Sequence, residues 1–192
     1  MNRALLSSKK MDYGTPWALY EMLDRQFSFT VDACAVRSNT KHPRFWSPKE
    51  NGLAQSWEGE TVFCNPPYGE QLPWWVSRAK QAAIMERAIT CLVLPARVGT
   101  SWWREHIMQA SMPPESLIQS RSRYEPHSQV HWYRWPSLIV GVHIYPERVL
   151  FDGMEDGAPF DTALVVMASP NRKPPKPKAI ELGDVDFRRG WP

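Results

Sequence analysis

Residues 61–69 have the sequence Thr61-Val62-Phe63-Cys64-Asn65-Pro66-Pro67-Tyr68-Gly69. The first four residues form an apolar run that predicts a buried strand, and the two prolines after Asn65 end it and stiffen the backbone. Asn65 and Tyr68 are then held at the strand's carboxyl end, where open α/β sheets bind ligands. An amide oxygen, the Pro66 carbonyl and an aromatic ring together suit an exocyclic amino group on a planar ring. The plain alternative is an ordinary turn after a strand.

Composition indicates one folded domain. The chain has 192 residues, 43% of them hydrophobic, and no apolar stretch as long as a membrane span. Residues 1–10 lack the apolar core of a signal peptide, so we expect a cytoplasmic protein that does not contact membranes. The spacing of Cys34, Cys64 and Cys91 fits reduced core thiols and no zinc pattern, so no metal site is predicted. A net charge of +3 permits a nucleic-acid partner without requiring one.

The elements predicted around residues 61–69 alternate between strand and helix. Before them, Thr15 is the predicted N-cap of a helix over 16–25 with Pro16 at its first position, and an alternating strand over 27–31 ends at Asp32. The other predicted elements are a short strand at 45–46, helices over 72–87 and from 100 or 101 to 110, and strands over 89–94, 138–145, 148–151 and 162–167. This alternation predicts an α/β fold with a mostly parallel sheet and antiparallel edge strands.

The end of the first predicted strand is a second candidate site. Asp32 is followed by the small residues Ala33, Cys34 and Ala35, which let a ligand approach the backbone closely. A carboxylate at this position can receive a ligand ammonium, although aspartate after a strand is also common in plain turns. No glycine-rich dinucleotide fingerprint is present, so a nicotinamide cofactor is not indicated.

Basic and aromatic residues are concentrated in residues 119–150, which we call the recognition segment. Such residues interleaved in one segment suit phosphate contact and base stacking, whereas the alternative is a solvated face on an ordinary strand pair. The predicted DNA-binding residues are Arg121, Arg123, Trp132, Arg134 and Arg148. The predicted domain covers residues 1–168, and residues 169–192 form a basic, proline-rich tail that is predicted to be flexible.

Taken together, these motifs resemble the phage-type DNA adenine-N6 methyltransferase (Dam-like) family. The resemblance covers about residues 12–105, where the order and spacing of the motifs agree with the family. The matching runs are Tyr13-Gly14-Thr15-Pro16, Phe29-Thr30-Val31-Asp32-Ala33-Cys34-Ala35, Asn51-Gly52-Leu53 with Trp57, Val62 to Gly69, and Leu92 to Arg97 with Thr100, Trp102 and Trp103.

The resemblance implies a single S-adenosylmethionine-dependent methyltransferase (Rossmann-like) domain that methylates adenine N6 at specific sites in DNA. The implied catalytic residues, which hold a flipped adenine, are Asn65, Pro66, Pro67 and Tyr68. The implied cofactor residues are Thr15, Pro16, Asp32, Cys34, Ala35, Glu50, Asn51, Leu53 and Asn65. The chain has Asn51 where the family usually has aspartate, and Glu50 is the candidate for the ribose hydroxyls. A phage-encoded enzyme of this kind acts in the bacterial host cytoplasm.

Three alternatives to this function stay open. Methylation of cytosine N4 uses the same chemistry, although a serine in place of Asn65 is commoner there. Methylation of protein glutamine uses the same tetrad and is disfavoured by the basic, aromatic recognition segment. A DNA-binding protein that keeps the fold without the activity is favoured by the departure at Asn51. The recognition sequence and the oligomeric state do not follow from these motifs.

Overall fold

A seven-stranded sheet forms the centre of the computed structural model, which describes residues 13–108, 123–124, 131–134, 138–145, 148–155 and 157–172. In chain order the strands are β1 (Val31–Asp32), β2 (Thr61–Cys64), β3 (Ile89–Pro95), β4 (Arg123–Tyr124), β5 (His131–Arg134), β6 (Ile139–Ile144) and β7 (Thr162–Ala168). Their order across the sheet is β1-β2-β3-β7-β6-β5-β4. The helices are α1 (Trp17–Phe27), α2 (Leu72–Met85) and the single turn α3 (Ser101–Trp103), which continues into a π-helical turn at Arg104–Met108.

The sheet is mixed. Strands β1, β2 and β3 are parallel neighbours, whereas β7 lies antiparallel between β3 and β6, and the pairs from β6 to β4 are also antiparallel. Parallel and antiparallel pairs are both present, as predicted, but two of the six neighbouring pairs in the described sheet are parallel and four are antiparallel. The predicted mostly parallel sheet is therefore corrected: the antiparallel part extends into the middle of the sheet rather than only along its edge. Parallel neighbours need a long crossover such as α2, whereas the successive strands β4, β5 and β6 can pair antiparallel through shorter connections.

The core lies where helix α2 covers strands β3 and β7. All seven residues of each of these two strands are buried, as expected for central strands covered on both faces. Helix α2 contacts both strands and buries its apolar side, whose members are Leu72, Trp75, Val76, Ala79, Ala82 and Ala83. This packing fixes the end of β2 and the start of α2, and therefore the tetrad between them.

The first helix and strand differ from the sequence prediction. Helix α1 begins one residue later and extends to Phe27, so the strand predicted over 27–31 is reduced to Val31–Asp32. Phe27 completes the buried helix face and stacks on Phe29 at 5.8 Å between ring centroids, and Ser28 ends the helix in the left-handed conformation. The alternation of Phe27 and Phe29 therefore comes from two rings that stack across the end of helix α1, and not from a strand.

Two other predicted strands are not formed as such. Phe45 makes a single parallel bridge with Asp32 instead of a strand. Residues 148–151 are irregular, and Asp152 after them forms an antiparallel bridge with Gly14. The helix predicted from residue 100 or 101 to residue 110 becomes α3 and the π-helical turn, and residues 109–110 lie outside the described part of the chain. Within the described residues, no helix combines the length and apolar character needed to cross a membrane.

Candidate active site

The site begins at the shared edge where the parallel strands β1 and β2 end. Asp32 pairs in register with Phe63, so the residues after each strand emerge side by side. The Ala33 amide donates to the Phe63 carbonyl at 2.8 Å, which continues the pairing one residue past β1. Asn65 therefore lies on the same edge as Asp32, as the sequence predicts.

The Asn65 side chain is held in one orientation. Its Nδ2 donates to the Tyr13 carbonyl at 2.5 Å and to Thr15 Oγ1 at 2.9 Å. Because a backbone carbonyl can only accept, the amide nitrogen must face Tyr13 and the oxygen must face away. Asn65 Oδ1 is buried and accepts no hydrogen bond from the described residues. The structure thus presents a fixed acceptor that lacks a donor. Buried polar atoms rarely lack a hydrogen-bond partner, so we expect a ligand to supply it.

Thr15 has a different role from the predicted helix cap. Helix α1 has Pro16 as its N-cap residue and no side-chain cap hydrogen bond, so Pro16 precedes the first helical position instead of occupying it. The Thr15 hydroxyl accepts from Asn65, and this contact explains why it is not directed at the helix terminus.

Asp32 is a buried carboxylate at the end of β1. Its Oδ1 accepts from the Cys34 amide at 3.4 Å and its Oδ2 accepts from the Lys41 amide at 3.1 Å. Burial raises the pKa of Asp32 above its ordinary value, and the two backbone hydrogen bonds and the charges of His42 and Lys41 oppose that rise. A carboxylate whose burial is only partly compensated favours the arrival of a cationic group.

A cavity of about 410 Å³ joins these residues. This volume lies within the roughly 300–1,000 Å³ range of small-molecule sites. Of the predicted site residues, the cavity is lined by Thr15, Asp32, Cys34, Ala35, Asn51, Leu53, Asn65, Pro66 and Pro67. Three of the predicted catalytic and cofactor residues, Pro16, Glu50 and Tyr68, are not among the lining residues.

Glu50 faces the solvent and stabilises its own loop. Its Oε2 accepts from the Ser47 amide at 2.8 Å and from the Ser47 hydroxyl, and these hydrogen bonds lower the pKa of Glu50. Among the described residues that line the cavity, Asp32 is the acidic one. Glu50 therefore supports the cavity wall through Ser47, which lines the cavity itself.

Residues 51–53 form a tightly packed wall of the cavity. A Cβ on Gly52 would lie 2.1 Å from the Ala33 carbonyl oxygen, so only glycine permits this approach. The Gly52 carbonyl accepts from Trp57 Nε1 at 2.9 Å, which anchors the turn to a buried indole. Asn51 has a φ of 55°, a conformation that asparagine and aspartate both tolerate, so backbone geometry does not explain the departure at this position.

Tyr68 is directed into an aromatic cluster. Its ring stacks on Tyr13 at 5.3 Å between centroids with 26° between the planes, and the edges of Phe151 and Phe160 lie nearby. The Tyr68 hydroxyl donates to the Val93 carbonyl at 3.2 Å, and burial raises the pKa of Tyr68 well above its ordinary value. The predicted stacking of Tyr68 on a substrate ring stays a prediction.

Several site residues were not predicted from the sequence. The cavity is also lined by Lys41, Trp46 and Trp75, and Trp75 Nε1 is buried without a hydrogen-bond partner among the described residues. Trp75 was predicted only as an inward-facing residue of α2. The role of Lys41 could not be predicted from the sequence around it, because its side chain pairs with Asp152, which lies 111 positions later.

The predicted DNA-binding residues are only partly within the described chain. Arg123 lies in β4, and Trp132 and Arg134 lie in β5, at the far side of the sheet from β1. Arg148 is exposed, and Arg121 lies outside the described residues.

The start of the predicted tail is attached to the domain. Arg172 Nη1 donates to the carbonyls of Glu60 and Arg87 at 2.9 and 3.1 Å, and its Nη2 donates to Thr61 Oγ1 at 3.1 Å. Residues 169–172 thus return to the beginning of β2. The remainder of the tail, residues 173–192, lies outside the described chain.

The fold and the cavity define a mixed α/β protein, compatible with a methyltransferase fold, whose candidate ligand site lies at the end of parallel strands. The chain belongs to the DNA N-6-adenine-methyltransferase (Dam) family, whose family model matches residues 3–113. It is also similar to the DNA N-6-adenine-methyltransferase of Haemophilus phage HP1 (strain HP1c1), with 31% identity over 102 residues. That alignment covers 50% of this chain and 58% of the relative, so it spans less than two thirds of the relative's length. The predicted family resemblance is confirmed, and it rests on the half of the chain that holds the cavity.

Proposed function

We propose that this protein transfers a methyl group from S-adenosylmethionine to N6 of an adenine at specific sites in DNA. The observation that carries the proposal is the fixed, unpartnered Oδ1 of Asn65 at the edge of the cavity. An oriented acceptor of this kind fits an amino group of a substrate better than it fits a plain turn. The names of the family and of the phage relative support adenine N6 as the amino group concerned.

The residues around the cavity fit the methyl donor. S-adenosylmethionine carries an ammonium, and the buried Asp32 offers it a carboxylate whose burial is only partly compensated. The small residues Cys34 and Ala35 and the close approach of Gly52 to Ala33 shape the wall beside it. Thr15, Asn51 and Leu53 are further predicted cofactor residues that line the cavity. Pro16 and Glu50 lie outside it: Pro16 is the N-cap residue of helix α1, and Glu50 accepts a hydrogen bond from the lining residue Ser47. When bound, this cofactor supplies a strongly electrophilic methyl group.

The tetrad acts on the amine that receives the methyl group. In adenine the N6 lone pair is delocalised into the ring, which makes the amine a weak nucleophile. We infer that Asn65 Oδ1 and the Pro66 carbonyl accept its two N–H groups, and these hydrogen bonds favour a nitrogen with a localised lone pair. Because that geometry belongs to the transition state, the interaction lowers the barrier rather than only binding the substrate. The proton that N6 releases passes to solvent.

The cysteine beside the tetrad takes no covalent part in this mechanism. Burial raises the pKa of Cys64 well above its ordinary value, so the thiol stays protonated and unreactive. The enzyme's contribution is alignment of the amine with the methyl group and orientation of the lone pair.

DNA reaches this site only if the target adenine leaves its base stack, because a duplex hides the amino group. We infer that the flipped base enters beside Pro66 and Pro67, which line the cavity, and that Tyr68 acts from behind Tyr13, the lining residue on which its ring stacks. The recognition segment supplies phosphate and base contacts through Arg121, Arg123, Trp132, Arg134 and Arg148. The bacterial cytoplasm is where a phage enzyme of this kind meets its DNA.

Nucleoside mass spectrometry tests the proposal directly. The full chain is incubated with S-adenosylmethionine and unmethylated DNA, which is then digested to nucleosides. We expect N6-methyladenine in amounts that increase with enzyme. N4-methylcytosine without N6-methyladenine would overturn the base assignment. Cofactor and DNA binding with no modified base would favour the DNA-binding alternative.

A further inference from the structure

Lys41 is a buried cation in the wall of the cavity. Its side chain is only 5% exposed, and the residue is one of those that line the cavity. Its backbone amide donates to Asp32 Oδ2, so the side chain starts directly beside that carboxylate. A buried ammonium is costly to desolvate, and lysines in this situation are paired or belong to a binding site.

The present partners of Lys41 use only part of its hydrogen-bonding capacity. Its Nζ donates to Asp152 Oδ2 at 2.8 Å and lies 4.6 Å from the centroid of the Trp17 ring. An ammonium has three N–H donors, and among the described residues only Asp152 accepts one of them. The side chain of Asp152 is 49% exposed, so water competes for this ion pair and weakens it. Lys41, which lines the cavity, therefore retains donors for a further anionic group.

The ligand for Lys41 has to be small enough to enter the cavity. A phosphate in the DNA backbone meets exposed cations, and a side chain with 5% exposure does not reach it. The neighbouring Asp32 suits an ammonium, so one wall carries a buried anion and a buried cation next to each other. An α-amino acid group has an ammonium and a carboxylate on the same carbon and matches this pair of charges.

We infer that Lys41 binds the carboxylate of the amino-acid portion of the methyl donor, beside Asp32, which receives its ammonium. This inference rests on the proposed function, because it assigns a residue to the same cofactor. It adds a positively charged residue to the predicted cofactor residues, whose charged members, Asp32 and Glu50, are both acidic.

Calorimetry with two ligands tests this assignment. S-adenosylhomocysteine keeps the amino-acid group, whereas its decarboxylated analogue loses the carboxylate and keeps the amine. We expect Lys41→Met to weaken binding of S-adenosylhomocysteine roughly 10- to 100-fold, the usual range for a hydrogen bond to a charged group. Binding of the decarboxylated analogue should change less than about threefold, because the group that contacts Lys41 is already missing.

Asp152→Asn is the matched control. It removes the charge opposite Lys41 and leaves the ammonium in place, so affinity for S-adenosylhomocysteine should stay the same or increase. If Lys41 only stabilises the fold through Asp152, Lys41→Met and Asp152→Asn will weaken both ligands alike, and the assignment is wrong. Lys41→Arg keeps the positive charge and should retain most of the preference for the carboxylate if Lys41→Met proves unstable. Failure of the parent protein to bind either ligand would instead overturn the proposed function together with this inference.

Discussion

Replacing Asn65 by alanine tests the central contact of the proposed mechanism. The substitution removes the fixed Oδ1 acceptor while leaving Asp32 and the rest of the cavity wall in place. A single oriented group that stabilises a transition state contributes roughly 2.7–4 kcal/mol, which corresponds to a 10²- to 10³-fold loss of kcat. Affinity for S-adenosylhomocysteine should remain within a few fold, because the acceptor is assigned to the target amine.

The same substitution has a separate structural effect that the assay must allow for. Asn65 Nδ2 donates two hydrogen bonds, to Tyr13 and Thr15, and at about 1 kcal/mol each their loss lowers stability by about 2 kcal/mol. In a chain of this size that is a decrease of roughly 4–8 °C in Tm, so kcat has to be measured well below the variant's Tm.

Thr15→Val is the matched control for this measurement. It removes one of the two acceptors for Asn65 Nδ2 but retains Oδ1 and the bond to the Tyr13 carbonyl. We expect kcat to decrease about tenfold or less, because only one of the two hydrogen bonds that orient the Asn65 side chain is removed. If Asn65→Ala turns over like the parent, or if Thr15→Val loses as much activity as Asn65→Ala, the reasoning about the acceptor is wrong.

Three further predictions concern the surroundings of the site. Because burial raises the pKa of Asp32, its contribution to stability is present below the ordinary pKa and is lost as pH rises through the folded pKa. The Tm of the parent relative to that of Asp32→Asn should therefore decrease as pH rises from about 4, and a difference in Tm that does not change with pH would contradict this. Gly52→Ala should cost about 3 kcal/mol or more in urea unfolding, because its Cβ would meet a backbone carbonyl, whereas Gly99→Ala has open space and should be nearly neutral. Removal of residues 173–192 keeps Arg172 and its hydrogen bonds, so Tm and sequence preference should stay unchanged, and DNA binding should weaken mainly at low salt. A changed sequence preference in footprinting would assign recognition to the tail.

The parts of the fold that the sequence predicts well are its continuous buried runs. Strand β2 was predicted with its observed bounds, and β3 and β7 each proved one residue longer than predicted. Such runs are buried on both faces, so composition alone identifies them and their position needs no knowledge of distant contacts. The tetrad follows β2 directly, and its place at the sheet edge was therefore predictable as well.

The predictions failed where distant contacts decide local structure. Residues 148–151 have the apolar character of a strand, but Val149 and Phe151 are buried beneath irregular backbone, and the next residue pairs with Gly14. Threonine is a common N-cap residue of helices, but the hydroxyl of Thr15 accepts from Asn65, fifty residues later in the chain. Local propensity is a weak guide in such places, because tertiary contacts override it.

The segment that precedes helix α1, residues 13–14, contacts both the tetrad and Asp152. The Tyr13 carbonyl accepts from Asn65, and the Gly14 carbonyl accepts from the Asp152 amide at 2.8 Å. Asp152 in turn pairs with Lys41, which closes a ring of contacts from β2 through residues 13–14 and 152 to the wall beside Asp32. The acceptor for the target amine and the charges proposed for the cofactor are therefore positioned by the same few contacts. Because Asp152 lies two residues after the recognition segment in sequence, its contacts with Gly14 and Lys41 join the end of that segment to the cavity wall.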